Sequence, residues 1–338
     1  MISPLKPMVL SRAAGMVPAA LLCLAALAFS LCVGARDIPL EELLKYLRFP
    51  APEDPVSQVV WSSRVPRTVL ILLGGAAFGV AGALMQAVTR NPLTDPGILG
   101  VNAGASLAVV LGLAFFGLSD VNHYMWWSLV GALVTSVAVF AIGNSGQVRG
   151  NPIKFTLAGV ALGAVMGGLS RAILLSDSAL LERMRGWSAG TTASQSLANT
   201  LTVAPVIGVG LLLALALYRA LDVLALGDAS AIAMGAKPVR IRLLSLCAIA
   251  LLAGGATAVM GPVGFIGLLT PHLARLLVGP HQGWILTYSI LLAPTILGFA
   301  DVLGRVAVAG EIPVGVVTPF IGGPLLVYLV LKMRVSTS

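Results

Sequence analysis

The sequence predicts an all-α integral membrane protein, one membrane domain over residues 1–338 with about ten transmembrane helices. Three observations predict it: 58% of the residues are hydrophobic, 10% are charged, and apolar runs recur along the whole length. A soluble domain carries about 25% charged residues, so this chain is built for lipid.

The first run, about 14–34, follows Lys6 and Arg12. It is longer than a secretory h-region, and the Leu before each of Cys23 and Cys32 does not suit lipoprotein processing, so a retained span is expected. Further runs lie near 66–88, 97–117, 124–143, 153–175, 200–218, 239–261, 284–307 and 313–332. All nine are long enough to cross a bilayer, which takes about 20 residues. The exception, 264–278, is too short and carries His272 and Arg275, so a short helix enclosed by its neighbours is expected there. GxxxG spacings at Gly75/Gly79, Gly100/Gly104, Gly159/Gly163 and Gly163/Gly167 predict close helix packing. Cys23, Cys32 and Cys247 all fall in predicted spans and read as small buried hydrophobes.

Ten spans place both termini on one side. With the N-terminus cytoplasmic, twelve basic residues fall inside and nine outside, among them Lys6, Arg12, Arg90, Arg149, Lys154 and Arg275 on the inner side. That bias favours N-in, C-in. The net charge of +8 is then membrane topology, and no basic patch on a soluble domain suggests nucleic acid. A faint repeat pairs Pro96 to Gly100 with Val263 to Gly267, laying helices 2–5 over helices 7–10. The offset of five spans makes the two halves inverted, as in many transporters; chance matching between glycine-rich segments is the alternative.

Four ordered motifs point further: RVPR at Arg64 to Arg67; GALMQ at Gly82 to Gln86 running into NPLTDPG at Asn91 to Gly97; LGDAS at Leu226 to Ser230 with Met234 and Gly235; and GPVGFIG at Gly261 to Gly267 followed by PHLAR at Pro271 to Arg275. Together they resemble permease subunits of the FecCD type, the ATP-driven importers of ferric siderophores, haem and cobalamin, over nearly the whole chain. The resemblance implies a second permease subunit, two ATPase subunits that use ATP and Mg, an extracytoplasmic substrate-binding protein, and a place in the cytoplasmic (inner) membrane of a prokaryote. It implies no cofactor bound by this chain, no metal ligands and no catalytic residue. The text from Asn91 to Ser106 resembles the siderophore permeases most, with haem or cobalamin as alternatives. Which chelate is carried, and whether the second permease is another copy or a relative, stay open. An ion-coupled secondary transporter is the rival from another class, permitted by the inverted repeat alone.

Each motif has its own chemistry. Arg64 and Arg67 stand at the outer start of helix 2 and Arg305 near the outer end of helix 9, one turn after Asp301. Exposed guanidinium groups there suit carboxylates of a docking protein, and the resemblance implies that role; anchoring at headgroups, with Arg305 paired to Asp301, is the alternative. Pro92 forces the chain out of its helix after Asn91, so Asn91 and Leu93 stand at an inner mouth. The resemblance implies a cytoplasmic gate, and a plain turn with an Asn cap is the alternative. Within the polar break 222–237, Asp228 is expected to N-cap a short helix through Met234, with Gly235 ending it. The resemblance makes Gly227, Asp228, Ala229, Ser230, Ile232, Met234 and Gly235 the coupling segment that the ATPase engages; a solvated loop fits the same residues. Gln86, Asn102, Ser106, Thr156, Ser170, Thr257 and Thr318 are the notable polar side chains inside spans, and Asn102 and Ser106 are the candidates for a translocation path because their helix follows the gate.

The search for catalysis is negative. No GxxxxGK[ST] phosphate loop is present, and His123, His272 and His281 lack metal-ligand spacing.

Overall fold

The computed structural model describes residues 12–34, 37–97, 100–117, 121–143, 145, 152–193, 195–308 and 310–335. Lys6, Arg149, Ile98 and Leu99, used above for topology and repeat, lie outside them. Ten apolar helices follow in order: α1 (Met16–Cys32), α2 (Val65–Thr89), α3 (Val101–Phe116), α4 (Val121–Gly143), α5 (Pro152–Ser176), α6 (Leu197–Ala216), α7 (Pro238–Met260), α8 (Ile266–Val278), α9 (Gln282–Val306) and α10 (Val314–Val335). Helix α7 is interrupted by a π turn at Ala250–Gly254.

Two expected lengths are corrected. Helix α1 has 17 residues and α3 has 16, so at 1.5 Å per residue neither spans a hydrocarbon core of about 30 Å unaided. For α3 the reason is local. Gly100 is left-handed, and its backbone lies so close to Gly159 and Gly163 of α5 that a side chain there would collide. The chain therefore re-enters the bundle as a turn and starts its helix late. Short helices that the apolar pattern did not reveal cover the ends, at Leu40–Arg48, Ser178–Ser188 and Tyr218–Ala225.

The core is built on α2, whose residues from Gly74 to Thr89 are all buried. Glycine makes this possible by close approach: a Cβ on Gly82 would overlap the backbone of Gly267 in α8, and Gly75 and Gly79 face Pro294 and Ala293 of α9. Gly104 meets Gly131 and Thr135 of α4 in the same way, whereas Gly167 has open space around it. Among the six described helices long and apolar enough to cross a membrane, α2, α7 and α9 are mostly buried, and α5 and α6 are largely exposed. Cys23 is buried as expected, but Cys247 is exposed on α7.

The packing pairs the helices in the order that the repeat equates. Helix α2 packs on α8 and α9, and its counterpart α7 packs on α3 and α4; α3 packs on α4 and α5, and α8 on α9 and α10. The two breaks that the repeat equates meet inside the bundle, where the Asn102 amide donates to the Val263 carbonyl at 3.3 Å. The short α8 is enclosed along most of its length, with only Leu276 and Leu277 well exposed near its end.

Candidate functional site

Three groups of residues occupy three levels of the bundle. At the end where α2 begins, the arginines expected to be exposed are buried, with 6%, 7% and 4% of Arg64, Arg67 and Arg305 accessible. Arg67 donates through Nε to both carboxylate oxygens of Asp301 at 3.1 Å and to Thr192 at 3.2 Å, and its Nη1 reaches Glu311 at 3.0 Å. Arg305 pairs with Asp301 at 3.0 Å and donates to the carbonyls of Ser30 and Val33, and Arg64 donates to the same Val33 carbonyl at 2.5 Å. Thr192 also donates to Asp301. The premise of free guanidinium groups is thus corrected: burial is tolerable because carboxylates and carbonyls satisfy the charges, and the cluster ties α1, α2 and α9 together.

At the opposite end, Arg90 closes α2 in a left-handed conformation, φ 49°. Its Nε donates to the Leu224 carbonyl at 3.0 Å, and its Nη2 pairs with Asp228. Arg242 grips the same carboxylate with two bonds of 2.8 and 2.9 Å. Asp228 therefore does not cap the short helix, which begins at Asp228 itself and ends at Ala233. Gly227, at φ 107°, holds the N-cap position and turns the carboxylate sideways toward the arginines, while Gly235 is left-handed at φ 80° as expected. Burial alone would raise the Asp228 carboxyl, but the hydrogen bonds and charge of Arg242, then of Arg90, outweigh it and hold the group below the usual carboxylate range. Ile232 and Met234 are each 62% exposed, an apolar pair offered outward from this short helix.

The Asn91 turn follows directly. The Asn91 side-chain oxygen accepts the Leu93 N–H at 3.0 Å, and Thr94 donates to the Asn91 carbonyl at 2.8 Å. In one chain this is a closed Asx-type turn, with Asn91, Pro92 and Leu93 half-buried. Gln86, one turn earlier, donates to the Leu268 carbonyl and accepts from Arg275 of α8 at 3.1 Å, which ties it to the scaffold and away from any path.

Between these ends lies a cavity of about 440 Å³, lined by Asn102, Ser106, Ser170, Arg171, Trp187 and Phe265 among others. It brings together Asn102 and Ser106, the two residues expected on a path, and adds Ser170. The Asn102 Oδ1 and the Ser106 Oγ are buried without a hydrogen-bond partner among the described residues, so each lacks the satisfaction that buried polar atoms ordinarily have. Thr257 and Thr318 are fully buried and do not line it. Sequence reasoning missed Arg171, although a charge inside an apolar run is itself a signal. It also missed the partners of Asp228: Arg90 lies 138 residues away, and Arg242, 14 residues away, was counted only as a topology charge. Among the described residues no three of His, Cys, Asp and Glu converge.

The profile of the FecCD transport family matches residues 22–332 of this sequence. The chain belongs to that family. It is 46% identical over 312 residues to the ferric enterobactin transport system permease protein FepD of Escherichia coli K12, covering 92% of each chain. It is 38% identical to the Fe(3+)-citrate import system permease protein YfmD of Bacillus subtilis 168, covering 91% of each. A solved inward-facing metal-chelate type ABC transporter superposes with a TM-score of 0.81 at 25% identity, over 95% of this chain and all of that one. This is a multi-pass membrane permease of a metal-chelate, siderophore-type ABC importer, a transport subunit in kind. Permeases of this class partner with ATPase and binding-protein subunits, and the ion-coupled alternative falls with that assignment.

Proposed function

We propose that this permease passes an intact ferric siderophore across the cytoplasmic membrane of a prokaryote, driven by ATP hydrolysed with Mg in two separate ATPase subunits. A second permease, a copy or a relative, packs beside it, and both termini lie in the cytoplasm. The observation that carries the reading is the direct tie between the predicted coupling helix and the predicted gate: Asp228 holds Arg90, and Arg90 is the residue before Asn91. The exposed Ile232 and Met234 suit a groove on the ATPase, so that its closure on nucleotide moves the helix Asp228–Ala233 and, through Arg90, the Asn91 turn.

In this mechanism Asn91 and Leu93 of the two permeases form the inner constriction, and Asn102 and Ser106 line the path above it. The siderophore assignment draws on the 46% identity to a ferric enterobactin permease. The binding protein docks at the end that carries Arg64, Arg67 and Arg305. Since Asp301 and Glu311 already occupy the Arg67 guanidinium, a docking carboxylate must either displace them or use the surface that they organise.

Uptake of radiolabelled ferric siderophores, haem and cobalamin by cells with and without the chain, under iron limitation, tests the reading. Selective loss of one ferric siderophore is the expected result. Loss of haem or cobalamin alone overturns the substrate class, and accessibility of 222–237 from the outside overturns the topology.

A further inference from the structure

The connection between α1 and α2 carries more apolar surface than the protein covers. In the helix Leu40–Arg48, at about 100° per residue, Leu43, Tyr46 and Leu47 share one arc of about 160° with Leu40 and Leu44, and Glu41, Glu42, Lys45 and Arg48 fill the other side. Only part of the apolar arc is used inside the chain. Leu43 and Tyr46 are buried with Ile38 and Val60 and pack against Leu31 and Cys32 of α1, whereas Leu40 and Leu44 are each 57% exposed. Phe49, directly after the helix, and Trp61 add two exposed rings.

Three observations identify what covers this edge. The first is depth. Helix α1 extends about 25 Å, against about 30 Å for a hydrocarbon core. Its exposed side chains from Val17 to Phe29 are all apolar, so lipid follows α1 toward its end, and the helix Leu40–Arg48 rests on its last residues. That places the helix at the boundary between acyl chains and headgroups. The second is ring chemistry. The Trp61 indole N–H is already given to the Tyr46 carbonyl at 2.9 Å, which leaves the ring an apolar surface to offer. The Lys45 ammonium and the Arg48 guanidinium lie over the Tyr46 and Phe49 rings at 5.0 and 5.5 Å. Aromatic bodies beside basic heads suit an interface where rings meet acyl chains and cations meet phosphate. The third is charge balance. Two acids and two bases leave the polar arc without a net field to steer a soluble partner.

We propose that Leu40–Arg48, with Phe49 and Trp61, is an in-plane membrane helix that inserts Leu40 and Leu44 into the phospholipid leaflet at the end of the bundle where α2 begins. Its partner is the lipid surface itself. Val33, in the same connection, accepts from Arg64 and Arg305, so the inserted helix tethers the buried arginine cluster to that leaflet.

The test places an indole on each side of the helix in turn. The assembled permease in phosphatidylcholine nanodiscs carries Leu44→Trp or, on the polar arc, Lys45→Trp. The emission added over the wild type is quenched by lipids brominated near the headgroup end of their chains, or by aqueous iodide. Leu44→Trp is expected to show lipid quenching about threefold stronger than Lys45→Trp, with the order reversed for iodide. Bromine near the headgroup end is expected to quench more than bromine near the chain end, since an in-plane helix lies about 5–10 Å into the leaflet. Phe49→Trp is a second reporter with the same expectation as Leu44→Trp, so a variant that fails to fold leaves the test standing. Equal lipid quenching at positions 44 and 45 overturns the proposal. So does protection of Leu44→Trp from both quenchers, because protein would then cover the edge. Iodide quenching at position 44 that only an added substrate-binding protein relieves also overturns it, because the edge would then be a docking surface.

Discussion

The two ends of α2 are both held by arginine and aspartate, but they are built differently. At one end Arg67 and Arg305 share Asp301, whose side chain is inaccessible, and Thr192 and Ser30 add further hydrogen bonds. At the other end Arg90 and Arg242 share Asp228, whose side chain is 40% accessible. The first cluster excludes water and locks three helices. The second is open to solvent at Arg90 and Asp228, with only Arg242 buried behind them, and it joins a loop, a short helix and a helix terminus, so it can be rearranged at lower cost. The same residue types thus give a fixed point where burial is complete and a movable joint where it is not.

The contrast can be broken most forcefully at Asp301. Asp301→Ala leaves Arg67 with the half-exposed Glu311 and the buried Arg305 with no carboxylate, and a loss of about 3–5 kcal/mol is expected. Thermal inactivation in mild detergent should report it as failure to hold a folded permease, whereas a melting point close to the wild type would show that the cluster is not the anchor. Next in size is Gly82→Ala, where the added methyl meets the backbone of Gly267 and α2 and α8 must separate. About 1–3 kcal/mol is expected from such overpacking, read in the same assay.

Asp228→Asn should cost least in stability, about 1–2 kcal/mol, because the Arg90 pair is partly exposed and the Asn amide oxygen can still accept from the buried Arg242. Its effect should appear in coupling: ATPase activity of the assembled importer continues while uptake falls. Uptake that keeps pace with hydrolysis would move the mechanical contact elsewhere. The pH dependence sharpens the point. A carboxyl held below its usual range contributes stability above about pH 4, and that contribution is lost as pH falls through the depressed value. Melting temperature measured from pH 6 to pH 3 should therefore fall less steeply in Asp228→Asn than in the wild type, and parallel curves would remove Asp228 from the acid response.

The ten helices were legible because run length is a direct signal of lipid, and even the anomalous α8 was marked by its shortness and its charges. Helix ends were less so: the late start of α3 follows from contact between Gly100 and α5, a tertiary fact. The arginines were misread for a related reason. Their place at helix ends suggested solvent; the pairing of Arg305 with Asp301, one turn earlier, was the alternative and is present, but the burial also depends on Asp301 meeting Arg67 and Ser30 meeting Arg305 across long stretches of sequence. Asp228 had the right residue type for a cap and stands at the start of the expected short helix, yet its carboxylate went to Arg90 and Arg242 because Gly227 at φ 107° took the cap position. Asn102 and Ser106 were found by order along the chain, and only the folded form places Arg171 beside them.

One further consequence comes from the length of α2. Its 25 residues extend about 37 Å, and Arg67 lies within the first turn. With that end fixed, any reorientation of the helix has its centre near Asp301, and Asn91 lies at the tip of the lever. A swing of about 5° displaces the tip by about 3 Å, roughly the diameter of a water molecule. In the proposed pair of permeases, two such tips moving apart would widen the inner constriction by about twice that amount, so a rigid anchor far from it would turn a small rotation into an opening measured in whole solvent layers.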